Sequence, residues 1–219
     1  RSASADAVDA LTDQLGGVAE SSAAKVGGEL FSVAGTLRSE GTLRRFITDQ
    51  SVSPEARKGL VDQLFAGKVD AATLGLVSEA ATRKWSKVRD VADALEQVGV
   101  IAVVRSVGLQ ASSLVDELFA VRELVNANSE LRNALSDPTR SPADRSGLVD
   151  TLLGGKVQPA TIQLVDPANG EVVLESDPVD AHPVQIISFN ASLRNGGELE
   201  IVVHVGLDTN GEGGNAQLP

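Results

Sequence analysis

ELFSVAGTLRSEGTLRRFITDQSVSPEARKGLVDQLFAGKVDAATLGLV, residues Glu29–Val77, and ELFAVRELVNANSELRNALSDPTRSPADRSGLVDTLLGGKVQPATIQLV, residues Glu117–Val165, are two copies of one unit. They align without a gap at an offset of 88 positions, Glu117 against Glu29. Glu29-Leu30-Phe31 matches Glu117-Leu118-Phe119, Leu43-Arg44 matches Leu131-Arg132, and Asp49 matches Asp137. Ser53-Pro54, Gly59-Leu60, Gly67-Lys68-Val69 and Leu76-Val77 recur as Ser141-Pro142, Gly147-Leu148, Gly155-Lys156-Val157 and Leu164-Val165. A gapless match of this density means that the unit was duplicated, and internal repeats decide an architecture before any local signal does.

Each copy reads as short helices. Leu30, Val33, Ala34 and Leu37 recur at helical spacing, as do Leu118, Val121 and Val125. Leu43, Phe46 and Ile47 form a second stripe, matched by Leu131, Ala134 and Leu135. Ser53-Pro54 and Ser141-Pro142 are helix starts, because serine accepts from free backbone N–H groups and proline suits the first helical position. Leu60, Val61, Leu64 and Phe65 should then face inward. Gly67 and Gly155 stand where a helix ends in the left-handed conformation. Asp70 can cap the next helix, which carries Leu74, Val77 and Ala81. Between the copies, residues 87–108 place Val88, Val91, Ala92, Leu95 and Val98 on one helical face. The expected fold class is mainly α: two tandem helical bundles followed by a short β-rich tail.

Composition changes at Asp166-Pro167-Ala168-Asn169-Gly170, a turn signal. Glu171–Glu175, Val184–Arg194 and Leu199–Val205 are rich in branched residues and read as strands. Asn195-Gly196-Gly197 reads as a hairpin turn. The expected domains are 1–108, a helical bundle with the first copy; 109–165, the second copy, lacking its last helices; and 166–219, a tail of unknown origin containing a hairpin. Asp208–Pro219 is glycine-rich and reads as loose.

The 219 residues suffice for one or two domains with a buried core. Charged residues make up 22%, which argues against wholesale disorder. The net charge of −11 repels phosphate backbones and argues against a nucleic-acid partner. Without cysteine there is no disulfide, thiolate metal site or cysteine nucleophile. No apolar run reaches the roughly 18–20 residues that cross a bilayer, so direct membrane insertion is not expected. Methionine is absent even from position 1, and the expectation is a processed chain or a fragment.

Chemical motifs are few. Gly67-Lys68 and Gly155-Lys156 lack the earlier glycine and the following hydroxyl of a phosphate loop: Asp62 and Val69, then Asp150 and Val157, stand there. Helix termination accounts for both. Asp208-Thr209-Asn210-Gly211-Glu212-Gly213 resembles the start of a calcium loop, but the twelfth position is Pro219 rather than a bidentate glutamate; a solvated acidic loop is the reading. His182 precedes Pro183 in a loop and His204 lies in a strand, and no motif places a nucleophile beside either. Asn190-Ala191-Ser192 fits the common glycosylation pattern. Trp85, the sole tryptophan, reads as a core residue, with a partner anchor as the alternative. Arg44 and Arg45 make a small basic spot, read as a solvated face or as a salt bridge to a partner helix. No residue is nominated as catalytic, cofactor-binding or metal-binding, and the partner-binding residues stay unassigned.

Leu43–Asp49 (LRRFITD), Gly67–Val77 (GKVDAATLGLV), Arg83–Ser86 (RKWS), Val115–Val125 (VDELFAVRELV), Glu130–Pro138 (ELRNALSDP) and Gly154–Val165 (GGKVQPATIQLV) resemble the actinobacterial form of the ATP synthase delta subunit. The opening Arg1-Ser2-Ala3-Ser4 also fits that form. In mycobacterial members of the group the delta region follows a b-type stalk segment, and a duplicated helical unit is a feature of the group. The resemblance covers residues 1–165; nothing in Asp166–Pro219 resembles the family. It implies bundles of the delta N-terminal type and a non-catalytic stator without a cofactor. It implies alpha-subunit N-terminal helices and a b-type stalk subunit as partners, at the cytoplasmic face of the bacterial plasma membrane. The device is an amphipathic helix laid in an apolar groove, and the shared apolar pattern leaves open which copy carries it. A general helical scaffold and a chimera with a foreign tail are the other readings. An enzyme is disfavoured, since no titratable pair is placed for acid–base work.

Overall fold

A computed structural model describes residues 2–166 together with the backbone of 187–194 and 198–205. The chain is mainly helical and divides into two compact units, Arg1–Leu109 and Gln110–Pro219. The first contains α1 (Ala3–Leu15), α2 (Glu20–Ser39), α3 (Gly41–Thr48), α4 (Pro54–Phe65), α5 (Ala71–Thr82) and α6 (Asp90–Ser106). The second contains α7 (Ala111–Ala127), α8 (Ser129–Ser136), α9 (Pro142–Leu153) and α10 (Pro159–Val165). The duplication survives in three dimensions, since α3 and α8, like α4 and α9, begin and end at matched positions of the two copies.

Local signals set these boundaries. Ser53 accepts from the Ala56 N–H at 3.2 Å, and Asp70 accepts from the Ala72 N–H at 2.9 Å. Ser141 and Asp144 form a reciprocal capping box. Ser2 caps α1, whose buried residues Ala7, Leu11 and Leu15 fall on one stripe four residues apart. The glycine stops differ in form from the expected helix cap. Ala66 (φ −58°, ψ 131°) and Gly67 (φ 77°) are the centre of a type II turn closed by the Lys68 N–H on the Phe65 carbonyl at 2.9 Å. Gly154 (φ −54°, ψ 127°) and Gly155 (φ 73°) repeat it, closed by Lys156 on Leu153 at 2.9 Å. Glycine is needed because the third residue of this turn has positive φ.

In the first unit Leu11, Val26, Leu30, Leu37, Ile47, Val61, Leu76 and Leu95 belong to one buried cluster. Of the inward-facing set expected on α4 only Val61 is fully buried; Leu60, Leu64 and Phe65 are half-buried. Helices α2 and α6 approach closely through glycines. A Cβ at Gly27 would stand 2.8 Å from the Gly99 carbonyl oxygen, and one at Gly99 would meet the Phe31 ring at 2.9 Å. The segment between the copies departs from expectation in two ways. Its helix starts at Asp90, leaving Val88 outside it and 42% exposed. Ala94, Val100, Val103 and Val104 are also buried, so α6 is enclosed on most of its sides, with Asp93 and Arg105 left exposed, rather than on a single apolar face.

The second unit has a smaller core of Val121, Val125, Leu131, Val149 and Leu153. Its strands β1 (Ile187–Arg194) and β2 (Glu198–Val205) pair antiparallel, from Ile187 opposite Val205 to Arg194 opposite Glu198. A lone pair of strands is marginal in water, and it does not establish the β-rich tail expected from the sequence. Glu171–Glu175, Asn195-Gly196-Gly197, His182 and Asp208–Pro219 lie outside the described residues, as do the side chains of Asn190 and His204. No single helix among the described residues is long and apolar enough to cross a membrane.

Candidate partner-binding surfaces

The helical stripes that define the repeat are spent on folding. Leu30, Val33, Ala34 and Leu37 are buried inside the first unit, and Leu118, Val121 and Val125 are buried in the second. A trough for a guest helix therefore has to come from other residues. Helices α4 and α5 border a shallow trough, a cavity of about 260 Å³ lined by Lys58, Asp62, Leu74, Gly75, Ser78 and Glu79 among others. Gly75 lines it and also lets α1 approach α5. A Cβ there would lie 3.2 Å from the Gln14 amide nitrogen of α1. Along the same wall Asp62 accepts from Lys58 Nζ at 2.7 Å and from Ser78 Oγ at 2.9 Å. The Lys58 hydrogen bond, followed by that from Ser78, holds the Asp62 carboxyl below the usual aspartate value. The trough is thus apolar at Leu74 and Gly75 with a fixed anion beside them.

The second copy differs at the residues that line this opening. Gln163 stands where the first copy has Gly75, and Ser146 where it has Lys58. That asymmetry is visible in the aligned sequences, but its meaning needs the knowledge that position 75 faces a cavity. The second copy exposes other residues: Phe119, whose counterpart Phe31 is buried, is 37% exposed. The Arg122 guanidinium lies over the Phe119 ring at 5.0 Å from its centroid.

Three polar devices hold the helices and were not legible as such in the sequence. Glu29, on α2, accepts from the Asp70 N–H through both oxygens at 3.1 and 3.0 Å and from Thr73 Oγ1 at 2.9 Å. Glu117 repeats the tether with the Gln158 N–H at 2.9 Å and with Thr161 Oγ1. Both threonines are fully buried. Arg57, only 2% exposed, donates from Nη1 to the carbonyls of Ile47 at 3.3 Å and Arg83 at 3.2 Å. Its cation thereby meets the negative ends of α3 and α5. A third device ties α2 to α6, an ion pair of Arg38 with the buried Glu96 and with Asp93 at 3.0 Å.

The nominated residues fall in known places. Arg44 donates to the Leu37 carbonyl at 2.6 Å and the Arg38 carbonyl at 2.9 Å, closing the C-terminal end of α2. Arg132 does the same for α7 through the Asn126 carbonyl at 3.3 Å. Arg45 is exposed. Trp85 is half-buried against the first core, and its indole N–H donates to the Ala80 carbonyl at 2.9 Å. Lys68 and Lys156 are exposed on the type II turns, and Lys156 Nζ donates to the Leu152 carbonyl at 2.9 Å. Among the described residues, no group of three or more His, Cys, Asp or Glu side chains could hold a metal ion.

No family model matches the chain. It is 44% identical over 172 residues to the ATP synthase subunit delta of Nocardioides sp., covering 77% of this chain and 62% of that protein. It is 40% identical over 147 residues to that of Thermobifida fusca, covering 66% of this chain and 55% of the relative. It is 35% identical over 172 residues to that of Nocardia farcinica, covering 78% and 64%. The resemblance drawn from the repeat motifs therefore holds, and the chain spans a little over half to just under two thirds of the length of these relatives.

Proposed function

We propose that this homologue of actinobacterial ATP synthase subunit delta is a non-catalytic peripheral-stalk subunit of a proton-translocating F-type ATP synthase. It braces the catalytic head against the membrane-anchored stalk at the cytoplasmic face of the bacterial membrane. Its partners are the N-terminal helices of alpha subunits and a b-type stalk subunit. The observation that carries the reading is the 44% identity to a delta subunit over 172 residues. The physics of a brace agrees with it. Such a part must transmit force without yielding, and the apolar stripes of both copies are packed inward while buried tethers fix helix to helix.

The contact we propose is a helix laid in the α4/α5 trough of the first copy, where Leu74 and Gly75 offer apolar surface and Asp62 a fixed charge. The division of labour follows the duplication: 1–108 is a bundle of the delta N-terminal type bearing the groove, 109–165 a second partial bundle, and 166–219 a separate tail. The test titrates the full chain, by calorimetry, with a synthetic peptide of the alpha N-terminal helix. Saturable binding is expected, weakened at least about tenfold by Gly75→Gln, which copies the second repeat and improves helix propensity. Binding indifferent to that substitution would place the groove elsewhere. No binding at all would remove the stator reading.

A further inference from the structure

Arg83-Lys84-Trp85-Ser86-Lys87-Val88-Arg89, the connection from α5 to α6, is a basic segment. Four cations in seven residues, with no acid among them, sit in a chain of net charge −11. All four cationic residues are exposed. Arg83 is paired with Glu79, while among the described residues no salt bridge engages Lys84, Lys87 or Arg89. The segment is nevertheless rigidly held. Trp85 packs on the core and donates to the Ala80 carbonyl at 2.9 Å. The Ser86 N–H donates to Ser4 Oγ at 2.8 Å, Ser4 Oγ donates to Asp90 at 2.6 Å, and the Lys87 N–H donates to Asp90 at 3.1 Å. Beneath it Arg57 holds the Arg83 carbonyl at 3.2 Å. Val88 stands out of this frame, 42% exposed, between Lys87 and Arg89.

We infer that the Lys84–Arg89 connection is a preformed docking surface for an acidic, partly apolar protein segment. Free cations cost less to bring to a partner when their backbone is already fixed, because little ordering entropy remains to be lost. Cations around one apolar residue match an amphipathic segment with carboxylates flanking an aliphatic side chain. The net charge of −11 selects protein over membrane. An anionic bilayer is an extended plane that would repel the acidic remainder of the chain, whereas a short segment meets only charges within about a Debye length, ~8 Å at physiological salt. The surface adjoins the α4/α5 trough, whose Glu79 pairs with Arg83, but its three cations do not line that trough and it does not depend on the stator role.

Trp85, the only tryptophan, lies inside the segment and reports on it. The experiment follows its emission in the full chain on titration with an 18-residue helical peptide of Glu and Leu, and separately with phosphatidylglycerol vesicles. A saturable emission change with the peptide is expected, weakened at least about tenfold by Lys84→Gln/Lys87→Gln/Arg89→Gln and by raising salt to about 0.5 M. Circular dichroism verifies that the variant keeps its helices, and Lys68→Gln, before the opposite end of α5, should bind as the parent does. An unchanged emission, equal binding by the triple variant, or a response to the vesicles but not to the peptide would overturn the inference.

Discussion

Removing the Glu29 carboxylate should loosen the first unit by about 2–4 kcal/mol. The number follows from what would be left behind. Glu29→Ala strands the Asp70 N–H, half-buried at the start of α5, and the Thr73 hydroxyl, which is fully enclosed. A buried donor left without its partner costs about 1–3 kcal/mol, and bonds to a charged acceptor lie toward the upper end. Asp70 still caps the Ala72 N–H, so α5 should keep its start and lose only its anchor to α2. The assay is urea unfolding followed by the emission of Trp85, which packs on the affected core. The midpoint should fall with an unchanged slope, the sign of lost stability rather than altered compactness. Thr73→Val closes a double-mutant cycle, for which a coupling of about 0.5–3 kcal/mol is expected. Glu29→Gln keeps one acceptor oxygen and should lose roughly half as much. A Glu29→Ala loss below about 0.5 kcal/mol, or a cycle without coupling, would refute the tether.

Gly67→Ala should cost about 1 kcal/mol, as should Gly155→Ala; each has positive φ with open space around the missing Cβ, so backbone strain alone is at stake. Thermal melts of the two variants check this. Gly27→Ala should destabilise the first unit by about 1–3 kcal/mol, because its methyl would stand 2.6 Å from Val103 Cγ2 and 2.8 Å from the Gly99 carbonyl; parent-like denaturation would mean that α2 and α6 can separate freely. Asp49, Asp62 and Asp137 have carboxyls held below the ordinary aspartate value of 3.8, chiefly by hydrogen bonds from Ser51, Lys58 and Thr139 respectively. Their contribution is full above 3.8 and disappears as pH falls through the lower folded-state values. The melting temperature should therefore drop below about pH 4, less steeply in Asp49→Asn/Asp137→Asn.

Much of the architecture lay in one dimension. The gapless offset between Glu29–Val77 and Glu117–Val165 announced the repeat, and Ser53, Asp70 and Ser141 announced helix starts. Each signal is local, a residue acting on backbone within a few positions, and such effects survive in any tertiary setting. The stripe Ala7, Leu11 and Leu15 was equally readable and marks α1. Reading failed where the answer depended on what stood opposite. Val88 continues the periodicity of α6, but the backbone turns before it. Ala94, Val100 and Val103 look like the solvent side of an amphipathic helix until the packing encloses them.

The sequence by itself determined the duplicated helical unit, its serine and aspartate caps, and its kinship with delta subunits, because propensity, capping and homology are carried along the chain. Only the tertiary structure decided that Glu29 reaches Asp70 and Thr73 forty-odd residues away and that Arg57 closes two helices at once. It alone decided that Gly75 lines an opening between α4 and α5. Those outcomes depend on which surfaces meet when apolar stripes are buried together, and no spacing along the chain encodes the distance between residues on different helices.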